Sequence, residues 1–273
     1  MRRIAMKKSH HLHVSEYATL DQGIRCPLAR NFLLHNAPTR DTDFIIVAGG
    51  DGTMLKVIRK YWDLSNTATG KPIFFGLNYG TKGFLLNQPT VSVIRELERG
   101  LVEIHDANLL QAEMEFQDGR KAIDFAFNDF YFRAPEGTAR IRVAIDGEIV
   151  RQKLVCDGII SATGFGSTAY NASAGGPVIA FGTRNQMTLT AIAPSIDSNW
   201  RNMAFAAPSF VTLELLETGR NPVNFYADGV VYHDVQKVIV RISDKNVRLA
   251  FVQSQKIRQR HLRMQLIPEN GGA

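Results

Sequence analysis

Phe44-Ile45-Ile46-Val47-Ala48-Gly49-Gly50-Asp51-Gly52-Thr53-Met54-Leu55-Lys56-Val57-Ile58 is the stretch that decides the fold class. Its first five residues form an uninterrupted apolar run, as a strand buried on both faces requires, and glycines end it. Helical spacing follows at once. Met54, Leu55, Val57, Ile58, Tyr61, Trp62 and Leu64 recur at three- and four-residue intervals, with Thr53 placed to cap the first turn. Residues 72–78 read as the next strand. Residues 90–99, with Val91, Ile94 and Leu97 on one side and Gly100 after them, read as a capped helix. This alternation predicts an α/β domain over residues 1–104.

Further along, the hydrophobic period changes from near 3.6 to 2, the mark of strands with one wet face. Residues 140–145 alternate, Asp146-Gly147 supplies a hairpin turn, and residues 148–151 resume the alternation. Segments 109–116, 122–127, 187–193, 210–216, 235–242 and 247–252 are further strand candidates. They predict a β-rich, sandwich-like domain over 105–245, followed by a tail over 246–273. The small, polar segment 166–176 interrupts it, and a helix there could pack against the sheets.

Composition bounds what such a protein can be. The 273 residues are 45% apolar and 21% charged, proportions of a globular chain able to bury a core and not of a disordered or coiled-coil one. No apolar run approaches the roughly 18 residues of a membrane-spanning helix, and the start, Met1-Arg2-Arg3-Ile4-Ala5-Met6-Lys7-Lys8, has no signal-peptide core. A cytoplasmic protein without membrane association is expected. Cys26 and Cys156 lie in no metal-ligand or CxxC spacing and read as reduced thiols. The net charge of +6 favours anionic ligands. The basic tail 256–263 lacks aromatic interleaving and reads as a solvated face, not a nucleic-acid patch. His10, His11 and His13 read as exposed residues of an unanchored N-terminus.

Two segments carry the chemistry. In Gly49-Gly50-Asp51-Gly52-Thr53, glycines that permit positive φ leave amides free to meet phosphate oxygens beside the positive end of a helix dipole. Asp51 would repel phosphate there unless it binds a metal ion or takes a proton from an attacking hydroxyl, so a phosphotransferase site explains both parts of the motif. The structural alternative is a tight turn with Asp51 capping the helix. The second segment runs from Asp157 to Pro177. Gly164, Gly166 and Ala169 match the Rossmann dinucleotide turn, but no acidic residue follows at the required distance of roughly 20 residues, and no P-loop exists in the chain. Its hydroxyls and its aromatic ring can instead form a base pocket, with Tyr170 stacking and Thr168 and Ser173 hydrogen-bonding, or can simply permit close helix packing.

The order of these segments resembles that of the NAD kinases. The resemblance rests on Gly49–Thr53, on Gly76-Leu77-Asn78-Tyr79-Gly80-Thr81-Lys82-Gly83-Phe84-Leu85, and on Asn128-Asp129 and Asp157-Gly158. It continues through Gly166-Ser167-Thr168-Ala169-Tyr170 to Gly175-Gly176-Pro177 and ends at Asp228-Gly229. It implies a two-domain fold with NAD in a cleft, the tail returning to the first domain, and a homodimer or homotetramer in which a neighbouring subunit helps complete the site. It implies transfer of the terminal phosphoryl group of ATP or polyphosphate, with Mg²⁺, to the 2′-hydroxyl of the adenosine ribose of NAD. By position, Asp51 activates that hydroxyl, and Gly50, Gly52, Thr53 and Phe75 are ligand contacts beside it. Asn128 and Asp129 hold the ribose and adenine side. Thr168, Ala169, Tyr170 and Ser173 line base pockets, Asp157 contacts the nicotinamide end, and Asp228 lies near the phosphates.

The chain departs from the family in three places. It has Thr163-Gly164-Phe165-Gly166 where Thr-Pro-Thr-Gly is usual, Lys82 where Leu is common, and Pro194-Ser195-Ile196-Asp197-Ser198-Asn199-Trp200-Arg201 where Pro-His-Ser-Leu-Ser-Asn-Arg is usual. Two other readings stay open on the residues alone: a related kinase acting on NADH or another nucleotide, and a catalytically weak NAD-binding regulatory module. The retained Asp51 speaks against the second.

Overall fold

A computed structural model describes residues 10–14, 38, 42–65, 72–217 and 222–266. Cys26 falls outside them. The chain divides into two compact units, residues 1–107 with 246–273, and residues 108–245.

The first unit begins with β1 (His10–Val14), β2 (Phe44–Gly49), α1 (Asp51–Ser65), β3 (Ile73–Asn78) and α2 (Val91–Glu98). The three strands are parallel, β2 between the other two, with Phe44 opposite His10 and Ile73. The N-terminal histidines therefore belong to an ordered strand, contrary to the expectation of an unanchored end. All six residues of β2 are buried, as its apolar run requires. The helix α1 buries Met54, Val57 and Ile58. It starts three residues earlier than a cap at Thr53 would have it: Thr53 lies inside the first turn, its N–H donating to Gly50 O, and does not cap it. Thr90 does cap α2, accepting from the Val93 N–H at 3.4 Å. One face of the layer packs Phe44, Ile46, Phe75 and Leu77 against Val93, Ile94 and Leu97 of α2.

β4 (Val102–Phe116) leads into the second unit, which contains β5 (Lys121–Ala126), β6 (Asp129–Arg133), β7 (Ala139–Ile145), β8 (Glu148–Cys156), β9 (Gly158–Thr163), the single turn α3 (Tyr170–Ser173), β10 (Gln186–Ile192), β11 (Met203–Ala206), β12 (Phe210–Leu215), β13 (Asn224–Ala227) and β14 (Val230–Tyr232). β15 (Val235–Val252) is one strand where the sequence suggests two; its first part pairs with β12 and its last part runs parallel to β3. The helix α4 (Ile257–Leu266) follows, in the first unit.

Within the second unit one sheet has the order β11-β10-β9-β6-β13-β14. Its inner face supplies Phe130, Phe132, Ile159, Leu189 and Phe225 to a core whose other side comes from β4, β7, β12 and β15. Two Asp-Gly pairs make the hairpins that the twist of paired strands favours. Asp146 and Gly147 join β7 to β8, Asp228 and Gly229 join β13 to β14, and all four have positive φ. Cys156 is a free, buried thiol, and burial pushes it up to about 12, so it is inert at neutral pH.

Candidate active site

The first unit has its candidate site where β2 and β3 end side by side. The main chain of Tyr79 donates to Gly49 O at 2.9 Å, drawing the loop after β3 over the start of α1. Glycine is needed here for space, not for positive φ, which none of Gly49, Gly50 and Gly52 adopts. A Cβ on Gly80 would lie 2.8 Å from the Gly50 Cα, and one on Gly49 would strike Thr53. Asp51 does not cap its own helix. Its Oδ2 accepts from the Phe84 N–H at 3.0 Å and its Oδ1 from the Leu85 N–H at 2.8 Å. Each carboxylate oxygen thus keeps a further lone pair for a ligand, beside the unshared first amides of α1. Asn87, wholly buried, holds the far end of the same loop: its amide donates to Gly76 O and Ala250 O and accepts from the Val252 N–H. Sequence reasoning missed it, because a buried Asn leaves no periodic signal.

Phe75, expected as a ligand contact, is corrected to a packing residue: its ring is 0% exposed and meets Phe44 edge-on at 6.5 Å. Thr53 is half-buried and Gly52 is exposed with open space beside it.

In the second unit Asn128, Asp129 and Asp228 come together. The positive φ of Asp228 turns its carboxylate back over the end of β5, where it accepts from the N–H groups of Phe127 (2.6 Å), Asn128 (2.8 Å) and Asp129 (3.2 Å). Its geometry is that of a loop-building residue. The loop is tied from its other side by Thr163, whose hydroxyl donates to Phe127 O and accepts from the Gly166 N–H. Asn128 Oδ1 is left buried with no hydrogen-bond partner among the described residues, an acceptor that calls for a donor.

Burial first, and then the Asp228 charge, pushes the Asp129 carboxyl up to about 7. A raised carboxyl means that the folded chain binds more protons than the unfolded one between about pH 4 and 7, so stability falls as pH rises through that window. Asp129→Asn removes the penalty. At pH 8 it is expected to raise Tm by about 5–10 °C, with the gain vanishing towards pH 4. Thermal melts of both proteins across pH 4–8 check this, and parallel curves would refute it.

The turn Gly166–Thr168 and α3 lie on the outer face of the β11–β14 sheet, held by Asn171, which donates to Ser167 O and Pro177 O and accepts from the hydroxyls of Thr188 and Thr190. This leaves Ala169 and Ser173 exposed and Thr168 and Tyr170 half-buried. The Thr168 and Ser173 hydroxyls lie 3.3 and 3.4 Å from carbonyls within the turn itself. The Tyr170 ring meets Tyr131 edge-on at 5.2 Å, Tyr131 stacks on Tyr226 at 4.5 Å, and the Arg133 guanidinium stands 6.0 Å from the Tyr170 ring. These three neighbours were not singled out from the sequence. The signal was present in Phe130-Tyr131-Phe132-Arg133, whose alternation places Phe inward and Tyr and Arg outward. Asp157 sits beside Gly158, at the opposite end of β9 from Thr163; its main chain pairs with Ile192 and Ala134 and its carboxylate is half-exposed.

A carboxylate gripped by amides at a glycine-lined helix start, and a second unit carrying an aromatic wall beside a polar loop, define a phosphotransferase with a nucleotide-like acceptor. The comparisons specify it. Residues 9–105 match the ATP-NAD kinase N-terminal domain and residues 128–253 the ATP-NAD kinase C-terminal domain. The NAD kinase of Brucella suis is 37% identical over 204 residues, 74% of this chain and 76% of that one, and that of Rickettsia typhi is 30% identical over 85% and 89% respectively. Two solved structures share the fold. Yeast NADH kinase complexed with NADH has a TM-score of 0.76 at 18% identity, covering 97% of this chain and 89% of the other, and an Archaeoglobus fulgidus NAD kinase in complex with ATP has a TM-score of 0.69 at 22% identity, covering 92% and 99%. The chain belongs to the NAD kinase family.

Proposed function

We propose that the chain transfers the terminal phosphoryl group of ATP to the 2′-hydroxyl of the adenosine ribose of NAD, with Asp51 accepting or orienting the hydroxyl proton. The observation that carries this reading is the pair of amide bonds on Asp51, one to each oxygen. They fix the carboxylate plane while leaving lone pairs for the hydroxyl. Phosphoryl transfer passes through a loose transition state with charge on peripheral oxygens, so positioning and fixed donors supply most of the rate. The amides at the start of α1 are suited to those oxygens.

Asn128 and Asp129 would hold the acceptor's ribose and adenine. The orphan Asn128 Oδ1 asks for a donor such as an exocyclic amine or a hydroxyl, and Asp129, titrating near 7, can offer either a proton or a lone pair. Tyr170 would stack, with Thr168, Ala169 and Ser173 along the same edge and Asp157 at the nicotinamide end. Among the described residues no three His, Cys, Asp or Glu side chains converge as a cation cage. Mg²⁺ would be carried by the triphosphate, where it neutralises charge. The family resemblance also supports a homodimer or homotetramer, which sedimentation would resolve. Among the described residues no helix is long and apolar enough to cross a membrane.

A crystal structure with NAD bound tests the reading. The ribose 2′-hydroxyl is expected within hydrogen-bonding reach of the Asp51 carboxylate, roughly 2.6–3.2 Å; a ribose lodged far from residue 51 would overturn it.

A further inference from the structure

The basic run at the end of the chain contains two side chains that bond into the fold. His261 is 3% exposed and Arg260 half-buried. From α4, Arg260 Nη2 donates to the carbonyls of Gly83 and, at 2.8 Å, Leu86. His261 Nε2 lies 2.7 Å from Phe84 O, with its ring edge-on to the Phe84 ring at 5.5 Å. A carbonyl only accepts, so Nε2 carries the proton. Burial above all pushes the imidazole down to about 4, so the ring is neutral at physiological pH.

The choice of carbonyls is the informative part. Gly83 C=O and Phe84 N–H belong to one planar peptide group, and Phe84 C=O and Leu85 N–H to the next. Those two N–H groups are the ones that hold Asp51. Each of two consecutive peptide groups is thus gripped at both ends, by an α4 donor on its oxygen and by one Asp51 oxygen on its hydrogen. Hydrogen bonds aligned through a peptide polarise one another, and a plane held at both ends cannot rotate away from its acceptor. The Asp51 charge is also felt at Arg260, where it works against the effect of burial.

We infer that Arg260 and His261 are positioning residues for the reaction, which set the Asp51 carboxylate through the peptide groups 83–84 and 84–85 without touching substrate. This rests on the reading of Asp51 as the group that receives the hydroxyl. It makes the C-terminal helix part of the catalytic apparatus, at a distance in sequence at which no motif would reveal it.

Steady-state kinetics and thermal melts of Arg260→Met, Arg260→Lys, His261→Leu and His261→Gln, each also in an Asp51→Asn background, test it. Arg260→Met and His261→Leu are expected to lower kcat by about 10- to 100-fold while moving the KM for NAD and ATP by less than about 3-fold, the signature of a catalytic group displaced by a fraction of an ångström. Gln keeps an N–H at similar reach, so His261→Gln is expected to recover most of the loss. In Asp51→Asn the same substitutions are expected to change the residual rate by less than about 2-fold, because their effect passes through the missing carboxylate. Where Arg260→Met does not fold, Arg260→Lys, which keeps the charge but not the fork spanning two carbonyls, carries the test with a loss of about 10-fold. Folded Arg260→Met and His261→Leu variants with unchanged kcat would overturn the inference, as would a His261→Gln no better than Leu or a full loss in the Asp51→Asn background. A fully active Asp51→Asn would instead remove the reading of Asp51; an inactive one beside fully active α4 variants would sink the clamp alone.

Discussion

Asp51→Asn is expected to lower the kcat of NADP formation by about 10²- to 10⁴-fold, the usual worth of a positioned general base, while the KM for NAD stays within a few-fold. In free energy this is about 2.7 to 5.5 kcal/mol of barrier. The structure adds a second reason for a large effect. Both carboxylate oxygens accept main-chain N–H groups, at 2.8 and 3.0 Å. An asparagine can match only one of them; its amide nitrogen then faces a donor. One bond is lost and the loop over the start of α1 loosens. Asp51→Glu keeps the charge but moves it by one methylene, and is expected to lose about 10²-fold for want of alignment alone. Purified variants assayed for NADP with saturating NAD, ATP and Mg²⁺ give the answer. An Asp51→Asn enzyme running at close to the wild-type rate would take Asp51 out of the chemistry.

How much of this was legible in the sequence follows from which residues act locally. The strand-loop-helix around Asp51 could be read because buried parallel strands need unbroken apolar runs and helices need their own period, both visible within a dozen residues. The hairpin at Asp146-Gly147 was legible because a two-residue turn demands positive φ and few residue types tolerate it. Its twin at Asp228-Gly229 was noticed only as a motif. Its use became plain once the carboxylate was seen to gather three amides some 100 residues upstream. No local pattern encodes that reach.

The failures have the same origin. Strand β6 carries its alternation over only five residues, opening on Asp129, and β9, buried along its whole length, has no period-2 signal to read. β1 was unread because its histidines look like solvated residues, yet they stand in register with β2. Phe75 was placed at the ligand by resemblance, although the continuous burial of β3 from Ile73 to Leu77 leaves its ring only the core. Arg260 and His261 read as solvated charge because a helix rich in Arg looks polar all round. Their carbonyl partners lie more than 170 residues away in sequence.

Gly166→Ala is expected to raise the KM for NAD by about 100-fold through the smallest possible change in side chain. A Cβ there would stand 2.1 Å from Asn128 O and 2.5 Å from Asn128 C, both main-chain atoms. Neither can rotate aside, so either the 166–168 turn or the 127–129 loop must move by roughly 1 Å, enough by itself to cost about 10²-fold when the displaced groups hold substrate. The movement also pulls on Thr163, which bonds to both segments: its N–H donates to Asn128 O at 2.8 Å, and its hydroxyl donates to Phe127 O at 2.6 Å and accepts from the Gly166 N–H at 3.0 Å. The overpacking is expected to lower stability by about 1–3 kcal/mol. Gly119→Ala separates that loss from the effect on the site. Gly119 has φ +83° and open space around it, so an alanine there meets backbone strain of about 1–2 kcal/mol without touching anything. The two variants should therefore melt within a few degrees of each other while only Gly166→Ala loses NAD. If both kept the wild-type KM, the 127–129 loop would not be the acceptor's seat; if both lost it equally, the loss would belong to stability and not to the geometry of the loop.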